Sequence, residues 1–208
     1  MDICFNRSKI FGAIIAGGKA GRLGGIIKGN LKINNDNTII DHLIRQYRHA
    51  GIKEIAIIAN DSRPYQAYNL EVIPDLRIGI GPLAGIESGL NYYKGRCDAV
   101  LFLPSDIPNI TANEISVLKE AFITTEQPVV YPATSNLESH PLCAVVNCDL
   151  KETITSAIDH GQRKVRDIWE QVNARIVQFP DEKVFFNINT PFDIKQLRAT
   201  YYEKKDLC

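Results

Sequence analysis

Short apolar runs alternate along the chain with longer stretches of helical period, the pattern that a parallel sheet covered by helices requires. The run at 10–16, rich in β-branched residues and ending at Gly17-Gly18, predicts a buried strand feeding a glycine-rich loop. A helix is expected over 39–50, where Ile40, Leu43, Ile44 and Tyr47 share one face and Gly51 supplies the stop. Residues 55–59 read as a second strand, 62–69 as a short helix, 72–73 as a brief extended piece and 74–82 as a run of turns. Helix is expected again over 83–93. The run at 99–103, between Asp98 and Pro104, is the most strand-like in the chain, apolar as a strand buried on both faces would be. Thr111 and Glu114 stand at capping-box spacing ahead of a helix to about 123, and 129–132 and 142–146 follow as strands. Asp149 with Glu152 repeats the cap signal. Thr190 with Asp193 repeats it once more, with Pro191 at the first helical position. No internal repeat, low-complexity tract or linker breaks the pattern, so one α/β domain over 1–208 is expected.

Composition narrows the function classes. The 208 residues are 45% apolar and 23% charged, with 24 basic side chains against 24 acidic ones, which describes a soluble globular chain and excludes disorder, collagen and coiled coil. A chain of this length buries roughly 70% of its unfolded surface, enough for a core without metal or disulfide staples. With no net charge and no block of five basic residues, neither nucleic acid nor a membrane surface is an expected partner. The five cysteines, Cys4, Cys97, Cys143, Cys148 and Cys208, are scattered, contain no C-x-x-C pair, and read as free thiols. No basic-then-apolar signal at Met1 and no apolar run near 18 residues are present, so a cytoplasmic location is expected.

The segment at 16–29, A-G-G-K-A-G-R-L-G-G-I-I-K-G, places glycines and cations directly after a strand. Glycine lets the backbone approach a ligand closely, and exposed N–H groups with cations such as Arg22 and Lys28 neutralise phosphate oxygens. By composition this is a phosphate loop, though neither a Walker loop nor a G-x-G-x-x-G; a plain glycine-rich surface loop is the alternative. A second cluster, Gly79 to Gly85, loosely imitates a dinucleotide fingerprint, but Pro82 inside it and the short strand before it count against a nicotinamide cofactor. It reads better as a turn that opens a helix towards a ligand, or as a turn alone.

Asp106 lies just past the best strand, where open α/β sheets bind ligands, and Pro104 and Pro108 hold the backbone around it. A hard cation such as Mg²⁺ is commonly held by one or two carboxylates together with substrate phosphates, which makes Asp106 the outstanding metal ligand, with Asp75 a weaker one. An Asp in such a turn is otherwise a cap. Asn187 and Asn189 point to one side of an extended segment, either to bind a ligand or metal or to make turn hydrogen bonds before the last helix. His140-Pro141 brings no nucleophile motif with it, and hydrolase chemistry is unsupported. Arg163 and Lys164 suit solvent or a second phosphate-bearing substrate; Trp169 suits the core.

These residues resemble the molybdenum cofactor guanylyltransferases (MobA), within the glycine-rich-loop nucleotidyltransferases. The marks are the loop at 16–29, V-I-P-D at 72–75, G-P-L-A-G at 81–85, P-S-D-I-P at 104–108, H-P-L at 140–142, G-Q-R-K-V at 161–165 and N-I-N-T-P at 187–191. The resemblance implies a three-layer sandwich with a mostly parallel, Rossmann-like sheet of the nucleotide-diphospho-sugar transferase type and helices on both faces. It implies transfer of GMP from GTP to the terminal phosphate of Mo-molybdopterin, with Mg²⁺ as cofactor. Proteins that deliver molybdopterin or chaperone molybdoenzymes would be further partners. By matching position, Ile15, Ala16 and Gly17, beside Gly18, would hold the guanine through backbone groups, with Asn60 and Asp75 completing the nucleotide pocket. Arg22 and Lys28 would contact the triphosphate and Asp106 would bind Mg²⁺. Gly81, Gly85, Asn187 and Asn189 would line the side where the pterin phosphate arrives. Two departures from the family pattern stand out: Ile27 replaces an acidic residue before the loop lysine, and Ser105 replaces the cysteine of P-C-D. The competing readings are a nucleotidyltransferase of the same sheet making a cytosine dinucleotide or activating a sugar or alcohol phosphate, a non-catalytic nucleotide-binding module, and a nicotinamide dehydrogenase.

Overall fold

The computed structural model describes residues 8–17, 27–34, 37–136 and 138–203. Seven strands, β1 (Ile10–Ile15), β2 (Ile55–Ile58), β3 (Glu71–Ile73), β4 (Ala99–Pro104), β5 (Val129–Thr134), β6 (Ala144–Asn147) and β7 (Arg175–Phe179), form one sheet in the order β3-β2-β1-β4-β6-β5-β7. β3, β2, β1 and β4 are parallel neighbours, β6 runs antiparallel to both β4 and β5, and β7 is parallel to β5. Every strand but β6 therefore points the same way, as a mostly parallel sheet should.

Alternation along β1 explains the layers. Ile10 and Ile14 enter one core with α1 (Ile39–His49) and α3 (Ala112–Ile123), while Phe11, Ala13 and Ile15 enter the other with α2 (Pro82–Tyr93), α4 (Lys151–Asp159) and α5 (Val165–Gln171). α6 (Pro191–Glu203) adds Leu197 to the first core. β1 and β4 are buried throughout, which is why both read as unbroken apolar runs. A tyrosine from each side ties the helices to the central strands: Tyr47 of α1 donates to the Ala13 and Leu101 carbonyls, and Tyr93 of α2 to that of Gly12. Trp169 is fully buried, and its indole N–H finds the Pro141 carbonyl at 2.8 Å. Among the described residues, no helix is long and apolar enough to cross a membrane.

The helix caps at Thr38, Thr111 and Thr190 follow local chemistry. Thr38 with Asp41 and Thr111 with Glu114 make reciprocal capping boxes, and the Asp193 carboxylate accepts the Asn189 and Thr190 N–H groups. Two expectations need correction, and one strand was not foreseen. The Asp149–Glu152 cap does not form: Asn147 instead accepts the Asp149 N–H and opens a 3-10 turn, so α4 begins without a side-chain cap. The strand expected over 142–146 starts only at Ala144, because Cys143 N–H closes a turn on the His140 carbonyl. β7 carries no apolar run to announce it; Arg175, Ile176 and Gln178 are exposed on an edge strand whose pairing to β5 is a tertiary event.

Candidate active site

β1 and β4 are adjacent parallel strands from which the sheet grows to opposite sides: β2 and β3 extend it beyond β1, and β6, β5 and β7 extend it beyond β4. Ligands of open α/β sheets bind at such a switch point, beyond the carboxyl ends of the strands. Here Ile15 is paired with Pro104, and the next amide, Ser105 N–H, donates to the Ile15 carbonyl at 3.0 Å. The glycine-rich segment after β1 and the turn bearing Asp106 thus depart side by side.

Lys28 joins them. Its ammonium donates to Asp106 Oδ2 at 2.9 Å and to Asn189 Oδ1 at 2.8 Å, bringing together three segments far apart in sequence. The Lys28 and Asp106 side chains are only 20% and 22% exposed, so this charge-assisted pair is shielded from water more than a surface pair would be. The lysine is aimed by a 3-10 turn, Lys28–Asn30, packed so tightly that a Cβ on Gly29 would lie 2.8 Å from the Ile40 side chain and 3.3 Å from that of Ser105. Asp106 also holds the Asn187–Asn189 segment through its backbone, accepting the Ile188 N–H at 2.9 Å. Ile188 is buried and its two asparagine neighbours face outward, so the alternation read from the sequence holds even though no strand forms there.

On the other side of β1, Asn60 and Asp75 form a reciprocal pair: Asn60 Nδ2 donates to Asp75 Oδ2 at 2.8 Å and Asp75 N–H to Asn60 Oδ1 at 2.9 Å. Partial burial raises the Asp75 carboxyl above its ordinary value, with the Asn60 bond opposing. The carboxylate faces two glycines, since a Cβ on Gly17 would stand 3.7 Å from one oxygen and a Cβ on Gly85 3.7 Å from the other. Gly85 also meets Ile15 and Ile58, so it packs beside Asp75 rather than in the cavity lined by Asn187 and Asn189. Of the three backbone positions expected to hold a base, Ala16 N–H is engaged by the Ile58 carbonyl and Ala16 C=O accepts the Tyr65 hydroxyl. Ile15 C=O accepts Ser105 N–H, and only Gly17 is exposed. Gly81 caps α2 at φ +80°, a backbone that only glycine adopts without strain. Gly18 and Arg22 lie outside the described residues.

Beyond Asn189 opens a cavity of about 790 Å³, lined by Asn187, Asn189, His140, Phe185, Lys183 and Asn109 among others. His140 is buried, its ring stacked on Phe185 with centroids 4.9 Å apart, and burial pushes its pKa down, so it is a neutral imidazole rather than a cation. Arg163 donates to the Ile158 and Gln162 carbonyls, where it caps α4. Cys143 is no nucleophile: burial, with the Asp106 charge beside it, pushes its thiol up.

Sequence reasoning missed two supports. Tyr65, in the 3-10 turn Arg63–Tyr68, buttresses the start of the glycine-rich segment; a tyrosine in a predicted short helix gave no hint of it. Arg77 pins the turns before α2 by pairing with the buried Glu87 of α2 and with Asp159 of α4. The spacing of Arg77 and Glu87 carries no periodic signal, because one of them is in irregular structure.

Known proteins share both the sequence and the architecture. Residues 12–176 match the family described as the MobA-like NTP transferase domain. A molybdenum cofactor guanylyltransferase of Yersinia pestis is 30% identical over 187 residues, covering 88% of this chain and 92% of that protein. The crystal structure of molybdopterin-guanine dinucleotide biosynthesis protein A from Archaeoglobus fulgidus superposes with a TM-score of 0.73 at 22% identity, over 92% of this chain and 98% of the other. CMP:2-keto-3-deoxy-manno-octonic acid synthetase, solved with CTP, superposes at 0.76 and 14% identity over 95% and 100% of the two chains, a likeness of fold alone. With the family domain matched from β1 into β7 and the curated relative covered almost end to end, the chain belongs to the MobA-like NTP transferase family and is a nucleotidyltransferase.

Proposed function

We propose that this enzyme transfers GMP from GTP to the terminal phosphate of Mo-molybdopterin, forming molybdopterin guanine dinucleotide and releasing pyrophosphate. The observation that carries the reading is the Lys28 ammonium held between Asp106 and Asn189, with the Asn60–Asp75 pair on one side and the large cavity on the other. Nucleotidyl transfer asks a protein for in-line positioning and for neutralisation of charge on phosphate oxygens, and the attacking phosphate is already an anion. No protein nucleophile or general base is needed. Lys28 and Arg22 would then contact the triphosphate, Lys28 exchanging its bonds to Asp106 and Asn189 for phosphate oxygens.

The oxygen donors suit Mg²⁺. Asp106 offers a carboxylate and Asn189 an amide oxygen to one shared position, and among the described residues no group of three or more His, Cys, Asp or Glu could hold a metal alone. That is the donor set of an ion completed by substrate phosphates. When bound, the ion would supply Lewis-acid stabilisation of charge on the reacting phosphate. Asp75 supports guanine in particular, because guanine presents ring and amino N–H donors side by side to an acceptor carboxylate, and cytosine does not. Gly17, Gly85 and Asn60 shape that pocket. Asn187 and Asn189 would receive the acceptor phosphate from the cavity side.

The test is pyrophosphate release with each of the four triphosphates, with molybdopterin carrying molybdenum as acceptor. GTP should be consumed fastest and only with acceptor present. Faster turnover of CTP or UTP, or transfer to a sugar phosphate in place of molybdopterin, would overturn the assignment.

A further inference from the structure

The sheet has a second chemically equipped end, opposite the nucleotide edge. Cys97 stands in the turn that enters β4, and Cys148 is the first residue past β6. Ala99 pairs with Asn147 in the antiparallel ladder, and Cys148 N–H donates to the Asp98 carbonyl at 2.9 Å, so the backbone holds the two cysteines in register. Their sulfurs are 3.6 Å apart. Both line a cavity of about 410 Å³ with Lys94, Asp98, Lys151 and Glu152, a space that admits a small reactant.

We propose that Cys97 and Cys148 form a thiol–disulfide exchange site whose reactant is a low-molecular-weight disulfide, with Cys97 as the attacking and Cys148 as the resolving sulfur. Cys97 is the more exposed of the two; Cys148 is buried behind it. The hydrogen bond shared by the two sulfurs holds the more exposed Cys97 below the usual thiol range, with the Lys9 ammonium helping, and pushes the buried Cys148 up. The asymmetry assigns the roles, since the thiolate is the nucleophile. Cys97 thiolate attacks one sulfur of the reagent R–S–S–R, forming the mixed disulfide Cys97–S–S–R and releasing R–S⁻. Cys148 gives its proton to solvent and attacks Cys97 Sγ, displacing the second R–S⁻; both leaving groups take up protons. The balance is two protein thiols and one small disulfide giving one protein disulfide and two small thiols, the protein oxidised by two electrons and the reagent reduced by two.

Metal binding fits this pair less well, because no third His, Cys, Asp or Glu completes a ligand group there among the described residues. Cys143, fully buried, marks the contrast of a thiol with no access. In a reducing compartment such a pair is a transient, redox-responsive bond rather than a structural staple.

The experiment exposes the folded full-length chain to oxidised and then reduced glutathione, alkylates the remaining thiols, and maps peptides by mass spectrometry. A Cys97–Cys148 linked peptide should form in oxidised glutathione and disappear in reduced. Cys148→Ser should stop at glutathione on Cys97, and Cys97→Ser should take up glutathione on Cys148 at least tenfold more slowly than Cys148→Ser does on Cys97. Absence of the linked peptide from the wild-type chain, glutathione accumulating first on Cys148, or linkage of Cys97 to Cys4 or Cys208 would each overturn the proposal. The wild-type result stands even where a variant folds poorly.

Discussion

The two halves of the sheet are built on different principles. In β3-β2-β1-β4 every neighbour is parallel, the strands are bracketed by α1 and α2, and the Asn60–Asp75 pair and Lys28–Asp106 pair sit at their carboxyl ends. In β6-β5-β7 one strand is reversed, the edge strand is solvated, and the adjoining cavity is walled by loops around His140 and by the Phe185–Asn189 segment. The first half offers a carboxylate that faces two glycines; the second offers a wide space with a stacked imidazole and two asparagine amides. Under the proposed function, a nucleotide donor and a pterin acceptor would ask for that division. Asn189 is the hinge of the comparison, because it lines the cavity of the mixed half and accepts a hydrogen bond from Lys28 beside the parallel half.

The largest expected effect strikes the mixed half's support. Trp169→Ala should cost about 3–5 kcal/mol of folding stability, as large-to-small changes of buried aromatics do, whereas Trp169→Phe should cost about 1–2 kcal/mol for the lost bond to Pro141 and some volume. Denaturant midpoints decide this, and a Trp169→Phe variant as stable as the wild-type chain would remove the hydrogen bond from the account. Next come Lys28→Ala and Asp106→Ala, each expected to reduce turnover at least tenfold, about 1.4 kcal/mol of transition-state stabilisation. A near-normal rate in either would take that residue out of the chemistry.

A smaller pair of changes sharpens the division itself. Asn60→Ala should raise the KM for GTP about fivefold, the worth of roughly one hydrogen bond, and leave that for acceptor alone; Asn187→Ala should do the reverse. If both variants move the same KM, donor and acceptor do not divide as drawn. Smallest is a pH effect at Asp75. Its folded carboxyl is raised above the unfolded value of 3.8 by burial, so it lowers stability at neutral pH and that penalty fades as pH falls through the raised value. Asp75→Asn should therefore stabilise slightly at neutral pH, by well under about 1 kcal/mol given its exposure to solvent, while weakening GTP binding. In the wild-type chain, GTP affinity should decline on acidification before the ordinary carboxylates titrate. An affinity flat with pH down to about 4, the ordinary carboxylate range, would dissociate Asp75 from the base.

Much of the parallel half was legible in one dimension. β1 and β4 are continuous apolar runs because both of their faces are covered, the glycine and lysine spacing after β1 needs no tertiary partner to be noticed, and caps such as Thr111–Glu114 are complete within four residues. Local chemistry written in neighbouring residues survives reading from sequence alone, and so fold class, most elements and the residues worth testing followed from it. Tertiary structure alone decided what depends on distant segments meeting. The Asp149 cap lost to Asn147, β7 exists because β5 offers it a partner, Gly85 turned out to face Asp75, and Lys28 reached Asn189 across 161 positions of chain. Such contacts are set by packing of whole layers, whose energies are summed over many buried side chains, and no short window of sequence contains them.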